Sequence, residues 1–212
     1  MKLRYGRLQI GRIYHVFNRG VDKRVTFKDE IDIEMFLRLC LLLNTDLAIQ
    51  DIGRLCMEKE FTSLESMRTD SERSLVSILG ISIMSNHFHL MLEQVAENGI
   101  SIFMRKVCSK YVRYFNSRYK REGYLFVKGY KYVQLHSIDS QRKYFVYTNY
   151  NNSVHDINDH NVHTPIYKQY SQCFEAITNK QKELFLNISF DTYKYQYLKK
   201  IKESRAEKLE IF

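Results

Sequence analysis

Two β-rich runs separated by only two residues constrain the fold of this chain more than any other feature. They read "LVSILGISIM" at residues 75–84 and "HFHLMLE" at residues 87–93. Short strands joined by a two-residue connection form an antiparallel hairpin. Because side chains alternate in a strand, Phe88 and Leu90 would face a core while His87 and His89 project together from the opposite face.

The regions around this hairpin supply further strands and helices. Their order predicts the α+β class, with a ferredoxin-like antiparallel sheet and helices on one face. Residues 1–155 would form this domain with an insertion at about 45–73, and residues 156–212 a C-terminal helical extension packed on it. The predicted elements are a strand at 12–20, a helix at 28–44, a helix at 99–121 that Gly123 ends, a strand at 130–135 and a helix at 139–152 with Asp139 as its N-cap.

Composition excludes several classes of protein. No apolar run reaches the roughly 18 to 20 residues needed to cross a bilayer, which argues against a membrane protein. The N-terminus lacks the pattern of a secretory signal, and the four cysteines are widely spaced without a CxxC pair. We therefore expect a cytoplasmic protein with reduced thiols and no membrane partner.

The net charge of +9 is concentrated in residues 105–131. This segment has nine positive residues against one negative residue, Glu122, and seven aromatic residues lie among them. Cations for phosphates and rings for unstacked bases are typical of sites for single-stranded nucleic acid. The alternative is a solvated helix face above core aromatics, and Tyr111 and Tyr114 fit that alternative because they share the apolar stripe of the helix.

The paired histidines have a structural and a functional interpretation. Strands often carry polar residues on their open face, but two parallel imidazoles a few ångströms apart can also bind one metal ion. Tyr147 and Asn151 lie four residues apart and would share one face of the last predicted helix. A phenol, with an ordinary pKa of about 10, needs a cation beside the reacting centre to attack phosphorus at neutral pH.

The sequence resembles the HUH endonucleases with a single catalytic tyrosine, which include the IS200-like and REP-associated tyrosine transposases. Residues 84–90 read "MSNHFHL", where the family pattern is approximately Met-Pro-Asn-His-hydrophobic-His-Leu. The segments "YHVFNRG" and "GYLFVKGYKYVQL" are similar to other parts of the family, and Tyr147 with Asn151 matches its Tyr-x-x-x-Asn-Pro pattern, with Asn152 in place of proline. The resemblance covers roughly residues 12–154.

The resemblance implies a metal-dependent strand transferase that cleaves single-stranded or hairpin DNA and leaves a 5′-phosphotyrosine and a free 3′-hydroxyl. His87, His89 and Asn151 would hold Mg²⁺ or Mn²⁺, and Tyr147 would be the nucleophile. A homodimer is one arrangement that the family allows, and a prokaryotic member would be associated with the nucleoid. The predicted DNA-binding residues are Arg19, Arg105, Lys106, Lys110, Arg113, Arg118, Tyr119, Lys120, Arg121, Tyr124, Lys128 and Lys131.

Several alternatives stay open. A non-catalytic, domesticated relative would bind structured single-stranded nucleic acid without cutting it, and a metal-dependent hydrolase of another fold would use Glu93 with the two histidines. Tyr144 and Tyr150 flank Tyr147 by three residues on either side, so either could be the nucleophile if the helix phase differs. The remaining histidines are interpreted as ordinary surface or structural residues: His15, His136, His155, His160 and His163.

Overall fold

The computed structural model describes residues 7–46 and 74–149, together with residue 199. Four strands and three α-helices lie in these ranges, and a short 3-10 helix, Val21–Lys23, follows the first strand. In chain order the elements are β1 (Ile13–Arg19), α1 (Glu30–Leu42), β2 (Val76–Met84), β3 (His87–Gln94), α2 (Gly99–Arg118), β4 (Lys131–Gln134) and α3 (Ile138–Asn149).

The four strands form one antiparallel sheet in the order β2-β3-β1-β4. The predicted hairpin is β2 and β3, whose closing pair is Met84 and His87. The β-α-β-β-α-β sequence with this strand order is the ferredoxin-like arrangement. The predicted α+β class and ferredoxin-like sheet are therefore confirmed.

The main core lies between one face of the sheet and helices α1 and α2. Val16 of β1 and Leu90 of β3 are paired neighbours on this face, and both are fully buried. Phe36 of α1 and Tyr111 of α2 complete the cluster, with their rings edge to face at 5.2 Å between centroids. Burial of large aromatic side chains supplies much of the apolar area that stabilises a small domain.

The opposite face of the sheet is covered by α3, so the helices do not all share one face. Ile13, Met91 and Phe145 pack together there with Leu79, which lies at a β-bulge in β2. A bulge inserts one extra residue into a strand and re-aims its side chains. The face that α3 approaches is the one from which the alternate residues of β3, beginning at His87, project.

Two predicted helix boundaries were wrong. Helix α2 ends at Arg118 rather than at residue 121, because Lys120 adopts a left-handed backbone with φ of 49° before Gly123 is reached. The N-cap of α3 is Ser137 and not Asp139, since the Ser137 hydroxyl accepts a hydrogen bond from the Ser140 amide at 3.1 Å. This is the usual geometry of a serine N-cap.

Several predictions fall on residues that the structure does not describe. Most of the predicted insertion at 45–73 and nearly all of the C-terminal extension at 156–212 are among them, as is Asn151. The division into a domain and an extension therefore stays a prediction. In the described part of the chain, no helix has the length and apolar character of a membrane span.

Candidate active site

Strands β1 and β3 bring the paired histidines to one face of the sheet. In their antiparallel register, His87 lies opposite Arg19 and His89 lies opposite Phe17. Paired residues project from the same face, so Arg19 and Phe17 flank the imidazoles. Phe88, between the histidines, points into the main core with no exposed surface. The predicted alternation of β3 is therefore confirmed, and the core fixes which way the histidines point.

His87 is held by the turn that precedes it. Its Nδ1–H donates a hydrogen bond to Oδ1 of Asn86 at 2.6 Å, and the Asn86 amide donates to the carbonyl of Lys23. A carbonyl oxygen can only accept, so this bond places the proton of a neutral His87 on Nδ1. The lone pair is then on Nε2, which is the nitrogen that can coordinate a cation.

His89 is held by a residue that the sequence interpretation had set aside. Its Nδ1 lies 2.9 Å from Nε2 of His15, and the two rings lie edge to edge in nearly parallel planes, with 5.0 Å between centroids. His15 is buried on β1, and burial lowers its pKa to about 4. It is therefore neutral at neutral pH, and of the two roles expected from the sequence, surface or structural, burial excludes the surface one.

Tyr147 of α3 lies over this pair of imidazoles. Its ring centroid is 5.3 Å from that of His89 and 6.0 Å from that of His15, with nearly perpendicular ring planes in both cases. Among the described residues, the predicted nucleophile and one of the predicted metal ligands are thus brought together from elements about 60 residues apart in sequence.

The neighbouring tyrosine Tyr144 occupies a different environment. Its ring packs on His15 at 4.6 Å between centroids and borders the small core cluster beneath α3. Burial raises the pKa of Tyr144, which makes its phenolate harder to form. Its position favours packing over nucleophilic attack. Tyr150, the other alternative, lies outside the described residues.

The donor set near the histidines fits part of a metal site. The rings of His87 and His89 are 5.0 Å apart between centroids, at 88° to each other, and two imidazoles suit divalent transition metals. In the described ranges no group of three His, Cys, Asp or Glu residues could hold a metal ion. Glu93 is four residues along the strand from His89, or roughly 13 Å at the usual rise, which is too far to share an ion. Further ligands would have to come from substrate oxygens, water or residues such as Asn151.

A family model described as "Transposase IS200 like" matches residues 56–160, about half of the chain, and includes both histidines and Tyr147. The chain belongs to the IS200-like transposase family. The predicted resemblance is thereby confirmed, and the activity class of this IS200-like transposase is DNA transposition. No curated protein gives a significant match to the sequence.

Among solved structures, a REP-associated tyrosine transposase bound to a REP hairpin is similar to this chain. The TM-score is 0.45 at 9% sequence identity, and the alignment covers 73% of this chain and 74% of that one.

An open groove lies between α2 and the segment that precedes β4 in the IS200-like transposase. Its volume is about 570 Å³, and its walls are largely apolar. Arg105 and Arg113 of α2 border it from one side and Lys128 from the other, while Tyr124 on the rim is 81% exposed. Exposed cations and a free ring beside an apolar groove have the character of a nucleic-acid surface.

Other members of the predicted DNA-binding set are engaged within the protein. The guanidinium of Arg118 donates to Asp32 at 2.6 Å and to Asp29 at 2.7 Å, and the hydroxyl of Tyr119 donates to Asp32 at 2.9 Å. Asp32 is fully buried. These contacts favour a structural role for Arg118 and Tyr119, because their polar groups already satisfy a buried carboxylate.

Lys106 and Arg121 are also tied to the protein. Lys106 donates to the carbonyl of Thr45 at 2.6 Å, and Arg121 donates to the carbonyl of Tyr124 at 3.1 Å. Burial lowers the pKa of Lys106. Lys110 on α2 is half-buried, whereas Lys120 beyond the end of the helix is exposed. The predicted basic set therefore divides into residues that hold the fold together and residues that face solvent.

Two exposed cations share the sheet face of the histidines. Arg19 lies opposite His87 in the β1–β3 register, and Lys131 of β4 lies opposite Phe17, the residue that pairs with His89. Both are exposed. Segment 124–130, which lines the groove, leads directly into Lys131, so the chain connects the groove to the strand that carries Lys131 on the histidine face.

Sequence reasoning missed His15 as part of the site. Strand alternation alone separates it from Tyr14 and Val16, which point into the core. The sequence does not reveal that β1 pairs with β3. This pairing puts His15 next to His89, which lies opposite Phe17. The sequence feature that could have indicated His15 is the alternation of β1, which puts this histidine on the face opposite the helix-covered core.

Proposed function

We propose that this IS200-like transposase cleaves and rejoins single-stranded DNA, in hairpin-containing substrates, through a covalent link to Tyr147. The observation that carries the proposal is the meeting of Tyr147 with His89 on the face where His87 also projects. A nucleophile, two aligned imidazoles and flanking cations on one surface are the parts that phosphoryl transfer requires.

The chemical step balances without a further reactant. The Tyr147 oxygen attacks phosphorus and forms an O–P bond, while the bond between phosphorus and the 3′-oxygen breaks. Overall, the Tyr147 phenol loses a proton and the departing 3′-oxygen gains one, which makes it a hydroxyl. The products are a 5′-phosphotyrosine and a free 3′-hydroxyl, and attack by a 3′-hydroxyl on the phosphotyrosine reverses the reaction.

His87 and His89 would hold a divalent cation, Mg²⁺ or Mn²⁺, through their Nε2 atoms, with Asn151 as a third protein ligand. When bound, such an ion polarises a phosphate oxygen and offsets the charge that develops at phosphorus. The protein itself orients the two imidazoles through Asn86 and His15 and keeps the Tyr147 ring beside His89. Arg19 and Lys131 would bind phosphates that flank the scissile bond.

The groove beside α2 supports binding of the substrate away from the reacting bond. Arg105, Arg113 and Lys128 would contact backbone phosphates, and Tyr124 would stack on an unpaired base. Such contacts fix the register of the strand relative to the histidine face. Because segment 124–130 joins the groove to Lys131 on that face, one continuous DNA strand would contact both surfaces.

The test is covalent capture on a hairpin-containing single-stranded oligonucleotide in the presence of Mn²⁺. We expect the wild-type protein to give a denaturation-resistant protein–DNA adduct, and Tyr147→Phe to give none while it binds DNA normally. Tyr144→Phe is the matched control, since the same atom is removed one helical turn away. An adduct that persists in Tyr147→Phe would exclude this nucleophile. Binding without any adduct in the wild-type protein would favour a non-catalytic relative.

A further inference from the structure

The two histidines of the candidate site have different hydrogen-bond partners at Nδ1. For His87 the partner is an amide oxygen, which only accepts. For His89 the partner is the Nε2 of another imidazole, which can accept or donate according to its tautomer. The chemistry of His89 therefore depends on where the proton of His15 resides.

Two arrangements of the protons satisfy the 2.9 Å contact. In one, His15 Nε2–H donates to His89 Nδ1, and the proton of His89 occupies Nε2, where it blocks coordination. In the other, His89 Nδ1–H donates to His15 Nε2, and the lone pair of His89 Nε2 is available to a cation. Only the second arrangement puts the proton of His89 on Nδ1, which is where the hydrogen bond to Asn86 puts the proton of His87.

We propose that His15 is the positioning residue that accepts the Nδ1–H of His89 and thereby presents His89 Nε2 to the divalent cation; this rests on the proposed function. Metal-binding histidines commonly donate their second ring nitrogen to a partner that fixes tautomer and orientation. On this chain the partner is an imidazole from the neighbouring strand.

The surroundings of His15 hold its ring in place for this role. It packs on Phe17 at 5.0 Å between centroids and lies edge to edge with His89 at 5.0 Å, and Tyr144 covers it at 4.6 Å. It is only 5% exposed, so water has little access to the contact with His89. A ring confined in this way cannot swing aside and let another acceptor replace it.

The other nitrogen of His15 sets an energetic cost for the coordinating arrangement. Its Nδ1 is buried and, among the described residues, has no hydrogen-bond partner. In the coordinating arrangement this nitrogen carries the proton, which is unfavourable for a buried donor. Within the described residues, the side-chain hydrogen bond of His15 is therefore the one that its Nε2 makes with His89.

The test compares Mn²⁺ affinity in two substitutions of His15, measured by electron paramagnetic resonance of the free ion in the absence of DNA. His15→Phe keeps the ring stack and removes the acceptor, and we expect it to weaken Mn²⁺ binding by roughly 10- to 100-fold. His15→Gln places an amide oxygen near the position of Nε2, and we expect it to restore most of the affinity. Thermal unfolding of each variant verifies that the domain is folded.

A third variant separates this inference from the proposed function. His89→Ala removes the ligand itself, so it sets the affinity expected without coordination by His89. If His89→Ala binds Mn²⁺ as the wild type does, the metal assignment of the proposed function fails. If His89→Ala loses affinity but folded His15→Phe retains it, the role of His15 alone is overturned. Equal weakening in folded His15→Phe and His15→Gln would likewise overturn it, because the ring shape and not the acceptor would then be what matters.

Discussion

Replacing Arg118 with methionine should destabilise the protein while leaving DNA binding by the folded protein unchanged. The Arg118 guanidinium contacts Asp32, which has no exposed side-chain surface, and Asp29, which is 42% exposed. The hydrogen bonds that the guanidinium donates to Asp29 raise the pKa of Arg118. Methionine keeps most of the apolar stem of arginine and removes only the charge and the donors.

The size of the destabilisation in Arg118→Met depends on which carboxylate loses its partner. The Asp29 pair is partly screened by solvent and contributes less than about 1 kcal/mol. Asp32 is buried and would keep its bonds from the Lys28 amide and the hydroxyls of Tyr114 and Tyr119. Losing one of several charge-assisted donors to a buried carboxylate costs about 2 to 3 kcal/mol, which is below the value for a carboxylate left with no partner.

The assay is urea denaturation of Arg118→Met beside Arg113→Met, its matched control on the same helix. Arg113 is exposed and borders the groove, so its loss should change the free energy of unfolding by less than about 0.5 kcal/mol. It should instead weaken binding of single-stranded DNA and reduce the salt dependence by about one phosphate contact. The reasoning would be refuted if Arg118→Met had wild-type stability and Arg113→Met bound DNA as tightly as the wild type.

Two further predictions concern stability. Burial alone would raise the pKa of Asp29, but hydrogen bonds from Arg118 and from backbone amides, with the Arg118 charge, lower it below 3.8. The stabilisation from Asp29 is therefore present above its unfolded pKa and is lost as pH falls through the folded pKa. In Arg118→Met the free energy of unfolding should therefore fall less steeply with decreasing pH below pH 4. Equal pH dependence in the wild type and the variant would contradict this. In Gly99→Ala, the new Cβ would lie 2.1 Å from the Leu75 carbonyl oxygen, and we expect a loss of about 1 to 3 kcal/mol in urea denaturation; unchanged stability would mean that this backbone shifts freely.

Periodicity predicted the sheet because the core imposes it on the sequence. Phe88 and Leu90 alternate with His87 and His89, so the apolar set alone determines which face the histidines share. The short motif around the histidines and the position of Tyr147 also pointed to the transposase family, which the family match confirms. These features are local in sequence, and local patterns are what a single sequence reveals.

The division of the basic segment could not be predicted in the same way. Arg113 and Arg118 lie five residues apart on one helix, yet one faces solvent and the other a buried carboxylate from α1. The partner of Arg118 is 86 residues distant, and no spacing within α2 indicates it. The same limit applies to His15, whose role depends on strand pairing between residues 74 positions apart.

The geometry of the candidate site is a consequence of the main core, although the site lies on the opposite side of the sheet. Val16 and Leu90 lock β1 to β3 in one register, and a slip of β1 by one residue would turn Val16 away from the main core and His15 into it. The energy that keeps the imidazoles paired is thus the burial of their apolar neighbours. Tyr147 depends on a different and smaller cluster, formed beneath α3 around Phe145. The two halves of the site are therefore held by separate apolar cores on opposite faces of one sheet, and the phenol is attached through the weaker of them.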